Sequence, residues 1–591
     1  MKSPLIIILW SVLMCSLSRT AACETMSDTW PATDALGRVV STRDLVGPPR
    51  KDRFVGIFYF LWLGQHGRGG PYDITQILAK DPDAMTKPTS PPWGPLNAFH
   101  HWGEPLFGYY LTDDPWLLRK HAQMLSDALV DVVIFDVTNQ FTYKANYTAL
   151  CEVWSQVRKE GGRTPQIAFL TPFWDPKKVA RELYDDLYSK GLYPDLWFQW
   201  KGKPLILADP EKVGAEIKGF FTFRKPQPDY FKGPTGPNQW AWLEKHPQHV
   251  FHDDQNRPEQ MTVGVAQNGH YGKLSTFSEA DTYGRSWHGG KKDTRPGAVN
   301  LGLNFAEQAK RALEVDPEFV FITGWNEWIA MRLDEFAGVR EPVMFCDQFT
   351  QEYSRDIEPM KAGHGDNYYY QMADFIRRFK GARETPVSNG PHRITIDGRF
   401  DDWSAVRPDY RDDAFDTTHR DHPGWAEGSR LTSNTGRNDI VLARVACDAK
   451  SICFYVRTRQ PITPLHPPLP RGDEGGSMML LIDIDRNHAT GWEGYDFVVN
   501  RTVRGSKTSL LERNTGGWTW EPITEIDYRV TGCEMELAVP RAAFGRAGVR
   551  KPLRFDFKWA DNCAIDGDIM RFYTDGDTAP SGRFNYPFRG S

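Results

Sequence analysis

The chain has 591 residues, with 71 Lys plus Arg against 76 Asp plus Glu, a net charge of −5. That length suits two to four domains at about 100–200 residues each, and the charge balance excludes a dedicated nucleic-acid binder, which carries a basic excess. An apolar share of 40% excludes a disordered chain and a polytopic membrane protein, while 21 Trp favour sugar stacking as much as a large core.

Residues 1–23 read as an export signal: Lys2 gives the charged start, Leu5 to Leu17 is mostly apolar, and Thr20-Ala21-Ala22 supplies small residues for cleavage. The run is too short for a membrane span. Cys23 offers a lipid-attachment point, so the expected location is secreted, periplasmic or surface-lipoprotein, with a lipid anchor as the sole membrane contact. Beyond Cys15 and Cys23 there are Cys151, Cys346, Cys447, Cys453, Cys533 and Cys563; none forms a CxxC pair, which speaks against structural zinc. Four of these lie late in the chain, where an oxidising compartment would permit a disulfide.

From about residue 50 to 385, short apolar runs alternate with helical patterns. The strands are expected at Val55–Leu63, Val132–Val137, Gln166–Leu170, Leu205–Ala208, Phe220–Phe223, Thr262–Ala266, Phe319–Thr323 and Val343–Cys346. Helices are expected at Pro115–Leu129, Tyr147–Lys159, Pro176–Lys190, Asn304–Glu314 and Asp366–Arg378. Strands apolar on both faces, interleaved with helices, predict an α/β fold, a (β/α)8 TIM barrel over 24–385. A doubly wound sheet is the rival, but no GxGxxG or P-loop follows a strand. After the turn-rich linker Gly381–His392, short strands at Ile394–Ile396, Ile440–Ala446, Ile452–Arg457, Ser477–Ile484, Asp496–Asn500, Glu534–Pro540 and Leu553–Trp559 predict an all-β sandwich over 386–591.

In a barrel, catalytic groups sit at the C-terminal ends of strands. The run Phe319-Val-Phe-Ile-Thr-Gly-Trp-Asn-Glu-Trp328 ends a buried strand in Trp325, Asn326, Glu327 and Trp328, which suits a sugar site: indoles for apolar faces, an amide for hydroxyls, a carboxylate for acid, base or nucleophile work. Asp136 and Asn139 follow the second strand, where Asp136 either binds a hydroxyl or caps the next helix. Tyr59, Trp62 and His66 close the first strand, and His100, His101, Trp102 and Glu104 lie on the loop beyond it. The sixth expected strand leads into Gln267, Asn268 and His270. The eighth leads into Asp347, Glu352, Tyr353, Arg355, Asp356 and Glu358. Glycoside hydrolysis needs two carboxylates, and Glu327 with Glu352 or Glu358 is the expected pair, with Arg355 tuning one partner.

These residues carry a resemblance. WNEW, the downstream Ile-Glu-Pro and the Tyr-rich helix start Asp366-Asn-Tyr-Tyr-Tyr-Gln resemble the barrel of glycoside hydrolase family 99 and its relatives, which include endo-α-mannosidases and endo-α-mannanases. The resemblance covers roughly residues 50–380 and implies a glycosidase acting on a polysaccharide or oligosaccharide, α-linked by analogy. In that family a second catalytic Glu follows three residues after the first. Glu327 matches the first, but Ala330 stands at the second, and the stretch from Trp328 to Ile357 is longer than the family's connection. Glu352 is the candidate to return a carboxylate there.

The C-terminal region, opening Ile396-Asp-Gly-Arg-Phe-Asp-Asp-Trp403, resembles carbohydrate-binding module family 9. Within it Asp483, Asp485 and Asn487 alternate oxygen ligands as a calcium loop does, although His488 stands where an EF-hand has Gly. Trp492, Trp518 and Trp520 offer a stacking platform or a core. No organic cofactor is implied, a structural calcium is the one metal expected, and a monomer is expected. Two other readings stay open: a non-catalytic glycan binder, and a metal-dependent hydrolase or lyase built on His100 and His101. Asn146 and Asn500 open glycosylation sequons that matter only in a eukaryotic host.

Overall fold

The computed structural model describes residues 25–89, 92–464, 478–548, 552–563 and 566–590. The export signal at 1–23 and Cys23 lie outside the described residues.

Eight parallel strands form the barrel: Phe54–Tyr59, Val132–Asp136, Gln166–Leu170, Lys203–Leu207, Thr222–Gln227, Gln239–Ala241, Pro258–Gly264 and Phe319–Thr323. Each pairs with the next from first to sixth, the seventh pairs with the eighth, and the eighth pairs with the first. The sixth and seventh share no ladder. The Gln260 amide spans that seam, accepting from Ala241 N at 3.1 Å and donating to Ala241 O at 2.9 Å. A side-chain amide thus replaces a backbone pair and closes the ring.

The second and eighth strands are buried at every residue, as double-faced burial requires. The helix Pro115–Asp127 starts where it does because Asp114 accepts from Trp116 N and Leu117 N, with Pro115 at the first position, where its missing N–H costs nothing. Helices also follow the second strand (Lys144–Lys159), third (Lys177–Leu183), fourth (Ala215–Phe220), seventh (Leu303–Val315) and eighth (Asn367–Lys380). The fifth-to-sixth and sixth-to-seventh connections carry none among the described residues.

Two strand assignments need correction. The run expected as the eighth strand, Val343–Cys346, belongs instead to the strand Val339–Phe345, which pairs antiparallel with Ile329–Phe336. Ile329–Phe336 pairs in turn with Phe99–His101, making a small sheet beside the barrel mouth. Only the last three residues of Val339–Phe345 are buried, which an apolar run of that length does not reveal. The run expected as sixth is the seventh strand. The true sixth, Gln239–Ala241, has three residues and begins on Gln, too short for a periodic signal.

Beyond Lys380 the chain turns at Gly381. Its φ of 75° and the Pro48 carbonyl 2.0 Å from where a Cβ would stand leave room for glycine alone. The remainder is antiparallel. Strands Tyr410–Arg411, Ile440–Cys447, Ser451–Thr458 and Glu534–Pro540 join one end of the long strand Thr519–Thr531. Its other end joins Thr508–Gly516, Phe497–Val503, Met478–Asp483, Arg554–Asp561, Asp577–Ala579 and Tyr586–Arg589. Phe454 of one half packs on Phe555 and Phe557 of the other at 5.8 Å, giving a sandwich. Ile394–Ile396 forms no strand.

One hydrophobic core runs through barrel and sandwich alike. Trp30, near the start of the described chain, packs on Phe584 and Tyr586 near its end, at 5.9 and 5.6 Å. The six described cysteines are all free in the structure.

Candidate active site

A cavity of about 1030 Å³ opens at the C-terminal ends of the strands, the end where barrels place their chemistry. Its polar floor is Glu327, Arg355, Asp347, Asp136 and Asn268, and its walls include Trp62, Phe173, Trp174, Tyr230 and Trp242.

Glu327 follows the eighth strand and is 2% exposed. The Arg355 guanidinium reaches Oε2 at 2.8 Å through Nη2 and 3.2 Å through Nε, and Oε1 at 3.1 Å. Gln348 Nε2 donates to Oε2 at 2.7 Å. Oε2 therefore takes three donors and Oε1 takes one. Burial, with the charges of Asp347 and Asp356, holds the Glu327 carboxyl well above its ordinary value although the Arg355 charge acts downward; the donors on both oxygens are what a carboxylate accepts. The Glu327 charge in turn raises Arg355 against the burial that lowers it. The Glu327 backbone is fixed by its own N–H, which donates to Asp356 Oδ1 at 2.5 Å.

Arg355 has a second set of duties. Its Nη1 donates to Asn268 Oδ1 at 3.0 Å, an oxygen that also accepts from Tyr230 OH at 3.1 Å. Its Nη2 lies 3.7 Å from Asp347 Oδ1, and Asp347 is half-exposed to the cavity. Asp136 ends the second strand, with Oδ1 accepting from Thr138 N at 3.0 Å. Burial raises its carboxyl to about 6, the Thr138 donors oppose this, and the Asp347 charge adds to it. The indole N–H groups of Trp62 and Trp242, both in the cavity wall, are buried without a hydrogen-bond partner.

Of the residues singled out from sequence, Trp62, Asp136, Asn139, Asn268, Glu327, Asp347 and Arg355 meet in this cavity. The others support it from behind or lie elsewhere. Glu352, expected as the partner of Glu327, does not line the cavity: its Oε1 accepts from Ser286 Oγ at 2.5 Å and Ser286 N at 3.2 Å. Glu358 is fully buried, accepting from Trp328 Nε1 at 2.5 Å and Tyr110 OH at 2.6 Å, with His121 Nε2 at 2.9 Å. Trp102 stacks on Trp328 at 4.6 Å, and its Nε1 donates to Asp356 and to the Glu327 carbonyl, both at 3.2 Å. Asn326 clamps the first strand through Phe60 N and O. Trp325 is buried edge-on to His121, and Tyr59 OH meets His121 Nδ1 at 2.8 Å.

Gln267 is buried against Asn304. His270 sits on a two-stranded hairpin with Lys273 and does not line the cavity. Glu104 pairs with Lys361. Tyr353 OH accepts from Lys292 at 2.9 Å.

The position matching the family's second glutamate, Ala330, is on the strand Ile329–Phe336, opposite His100. Met331 and Leu333 line the cavity, so alternation turns Ala330 to the other face, where it packs with Trp93, Val343 and Phe345. Among the described residues neither His100 nor His101 belongs to a group of three or more converging metal-ligating side chains. His100 and His101 are fully buried, burial lowers them to about 4 and about 3, and His100 is engaged with Ala98 O and Gly94 N.

In the sandwich, Asp483 and Asp485 converge with Asp496, each offering an oxygen within 4.8 Å of the others; Asn487 instead accepts from Ala489 N. Trp492 and Trp520 are buried in a satellite core with Trp518 against it, so they form no open platform.

Sequence reasoning missed Tyr230 and Trp242 as parts of the site, and it placed Asp347 on the rim without pairing it with Glu327. Asp347 follows the strand Val339–Phe345 by two residues and precedes Arg355 by a short loop. Tyr230 and Trp242 sit on either side of the sixth strand, which itself gave none.

No family model and no curated relative matches the chain. Among solved structures it is similar to the family 99 endo-α-mannosidase of Bacteroides thetaiotaomicron. That match has 16% identity and covers 57% of this chain and 99% of the other, with a TM-score of 0.33. The same enzyme bound to bis-tris-propane aligns at 15% identity over 56% and 98%, TM-score 0.32. A glycoside hydrolase-like protein aligns at 10% identity over 56% and 95%, TM-score 0.29.

Proposed function

We propose that the chain is a glycoside hydrolase that cuts a glycosidic bond of a polysaccharide or oligosaccharide in the barrel cavity. The observation that carries this reading is the convergence of Glu327, Asp347 and Asp136 on one aromatic-walled cavity, with Arg355 bridging the first two. A sugar offers what the cavity lacks: hydroxyls for the orphan indole N–H groups of Trp62 and Trp242, and apolar ring faces for Tyr230 and Trp174.

In this reading Asp136, raised to about 6, is the proton donor to the leaving oxygen. Glu327 is the carboxylate that acts as base or nucleophile, through the less encumbered Oε1. Asp347, the most exposed of the three, binds sugar hydroxyls, and its charge adds to the burial that raises Asp136. The α-linkage rests on the WNEW and Ile-Glu-Pro resemblance alone, and export rests on residues 1–23.

A second reading, a non-catalytic glycan binder, draws on the saturation of Glu327 Oε2 by three donors. Incubating the protein with a polysaccharide panel, with product anomers followed by NMR, separates the two. Release of new reducing ends supports the hydrolase; binding without release supports the binder.

A further inference from the structure

Where the helix Pro115–Asp127 of the barrel meets the sandwich, three aspartates crowd one space. Asp412 and Asp416 follow the strand Tyr410–Arg411, and Asp577 opens Asp577–Ala579. One carboxylate oxygen of each lies within 4.8 Å of the other two. Asp416 is 5% exposed and Asp577 4%. Among the described residues no Lys, Arg or His forms an ion pair with any of the three. The nearby cations are spent elsewhere: Arg163 on Asp127 at 2.8 Å, Arg459 on Asp439 at 2.8 Å, and Lys558 on the Pro580 carbonyl.

Two neutral donors reach the cluster. Gln123 Nε2, from the barrel helix, donates to Asp416 Oδ2 at 2.9 Å, and Ile440 N donates to Asp577 Oδ2 at 2.6 Å. Asp416 Oδ1 and Asp412 Oδ2 remain buried with no partner. A fourth carboxylate, the fully buried Asp439, adds another orphan oxygen, Oδ1, and its charge acts on Asp577. Burial and mutual repulsion push both Asp412 and Asp577 well up. Lys558 and Lys120 act on the cluster through charge at a distance, and neither forms an ion pair with any of the three carboxylates. Such a set is costly empty and favourable around a hard cation. Oxygens on one calcium, bound at about 2.3–2.6 Å, lie at most about 5 Å apart, which fits this spacing.

We propose that Asp412, Asp416 and Asp577 hold a calcium ion at the junction of barrel and sandwich. The ion neutralises the cluster, and through Gln123 it ties the barrel's helix to the second domain. This site is separate from Asp483, Asp485 and Asp496, which lie within the sandwich.

The test uses the full chain stripped with EDTA, then titrated with calcium or magnesium in a calorimeter and in thermal scans. Calcium is expected to raise the melting midpoint of the wild type by about 3 °C or more. D485N, altered at the other acidic group, is expected to keep that rise, whereas D416N and D577N lose it. In EDTA, D416N is expected to melt above the stripped wild type, because it removes an uncompensated buried charge; that readout also shows that the variant folds. No calcium response in the wild type, a response to magnesium alone, or a rise that survives in D416N and D577N would each overturn the proposal. So would a rise lost in D485N. Should both variants fail to fold, wild-type crystals grown with calcium decide: density among the three carboxylates supports the site, and its lack refutes it.

Discussion

Arg355 Nη2 stands 2.8 Å from Glu327 Oε2 and 3.7 Å from Asp347 Oδ1, so a single guanidinium holds two of the cavity's carboxylates. Both members of the closer pair are 2% exposed at the side chain. The electrostatics of the site are therefore those of a buried ion pair with one open neighbour.

Removing Arg355 strands the Glu327 charge. Arg355→Met is expected to lower stability by about 3–5 kcal/mol, the cost of a buried charge left alone. Arg355→Lys restores the charge but not the fork that meets Glu327 and Asn268 together, so little activity returns. Urea denaturation and turnover on the same variants check both statements.

The raised carboxyl of Asp136 sets the pH dependence. A proton donor with a pKa of about 6 is lost as pH rises through that value, so kcat/KM falls on the alkaline side of about 6. Stability follows the same sign. Between its ordinary value of 3.8 and about 6 the folded state holds a proton that the unfolded chain releases, so this group's contribution declines as pH rises across that window. Asp136→Asn is expected to abolish turnover and to flatten this part of the stability profile; a pH series of denaturation midpoints reads the second effect directly.

Glu352 and Asp347 should separate cleanly. Glu352→Gln alters a side chain bonded to Ser286 outside the cavity, so kcat/KM is expected to stay at the wild-type level. Asp347→Asn alters a group inside it, and KM is expected to rise. Steady-state kinetics on the pair would show whether the cavity, or the spacing of glutamates in the sequence, marks the site.

Gln260→Leu opens the seam of the barrel. It leaves Ala241 N and O without their partner, at a cost of about 1–3 kcal/mol for each buried group orphaned. Trp242, the next residue, then loses its fixed place in the cavity wall. A lower melting midpoint together with weaker glycan binding is the expected outcome, measured by thermal scanning and calorimetry.

What was legible in the sequence follows burial. Phe319–Thr323 and Val132–Asp136 are buried at every residue, so continuous apolar runs announced them, and Glu327 and Asp136 were found because each stands at the end of such a run. Gln239–Ala241 is held by Gln260 rather than by a long ladder and gave no run to read. Val343–Cys346 misled because its apolar residues are buried against Trp93 and Ala330 beside the barrel, not within the ring. In the sandwich, Thr508–Gly516 and the long strand Thr519–Thr531 were missed; half-buried and rich in charge, they carry alternation too weak to stand out. Glu352 and Asp347 lie on one segment after the same strand, but the fold turns Glu352 to Ser286 and brings Asp347 to Arg355.

The most direct measurement is hydrolysis of a glycan that the wild type cleaves, repeated with Glu327→Gln, with binding followed in parallel by calorimetry. Turnover is expected to fall by about 10²–10⁴-fold while affinity for the glycan persists. Wild-type rates in Glu327→Gln would contradict the account, as would a wild type that binds glycans yet releases no new reducing end from any of them.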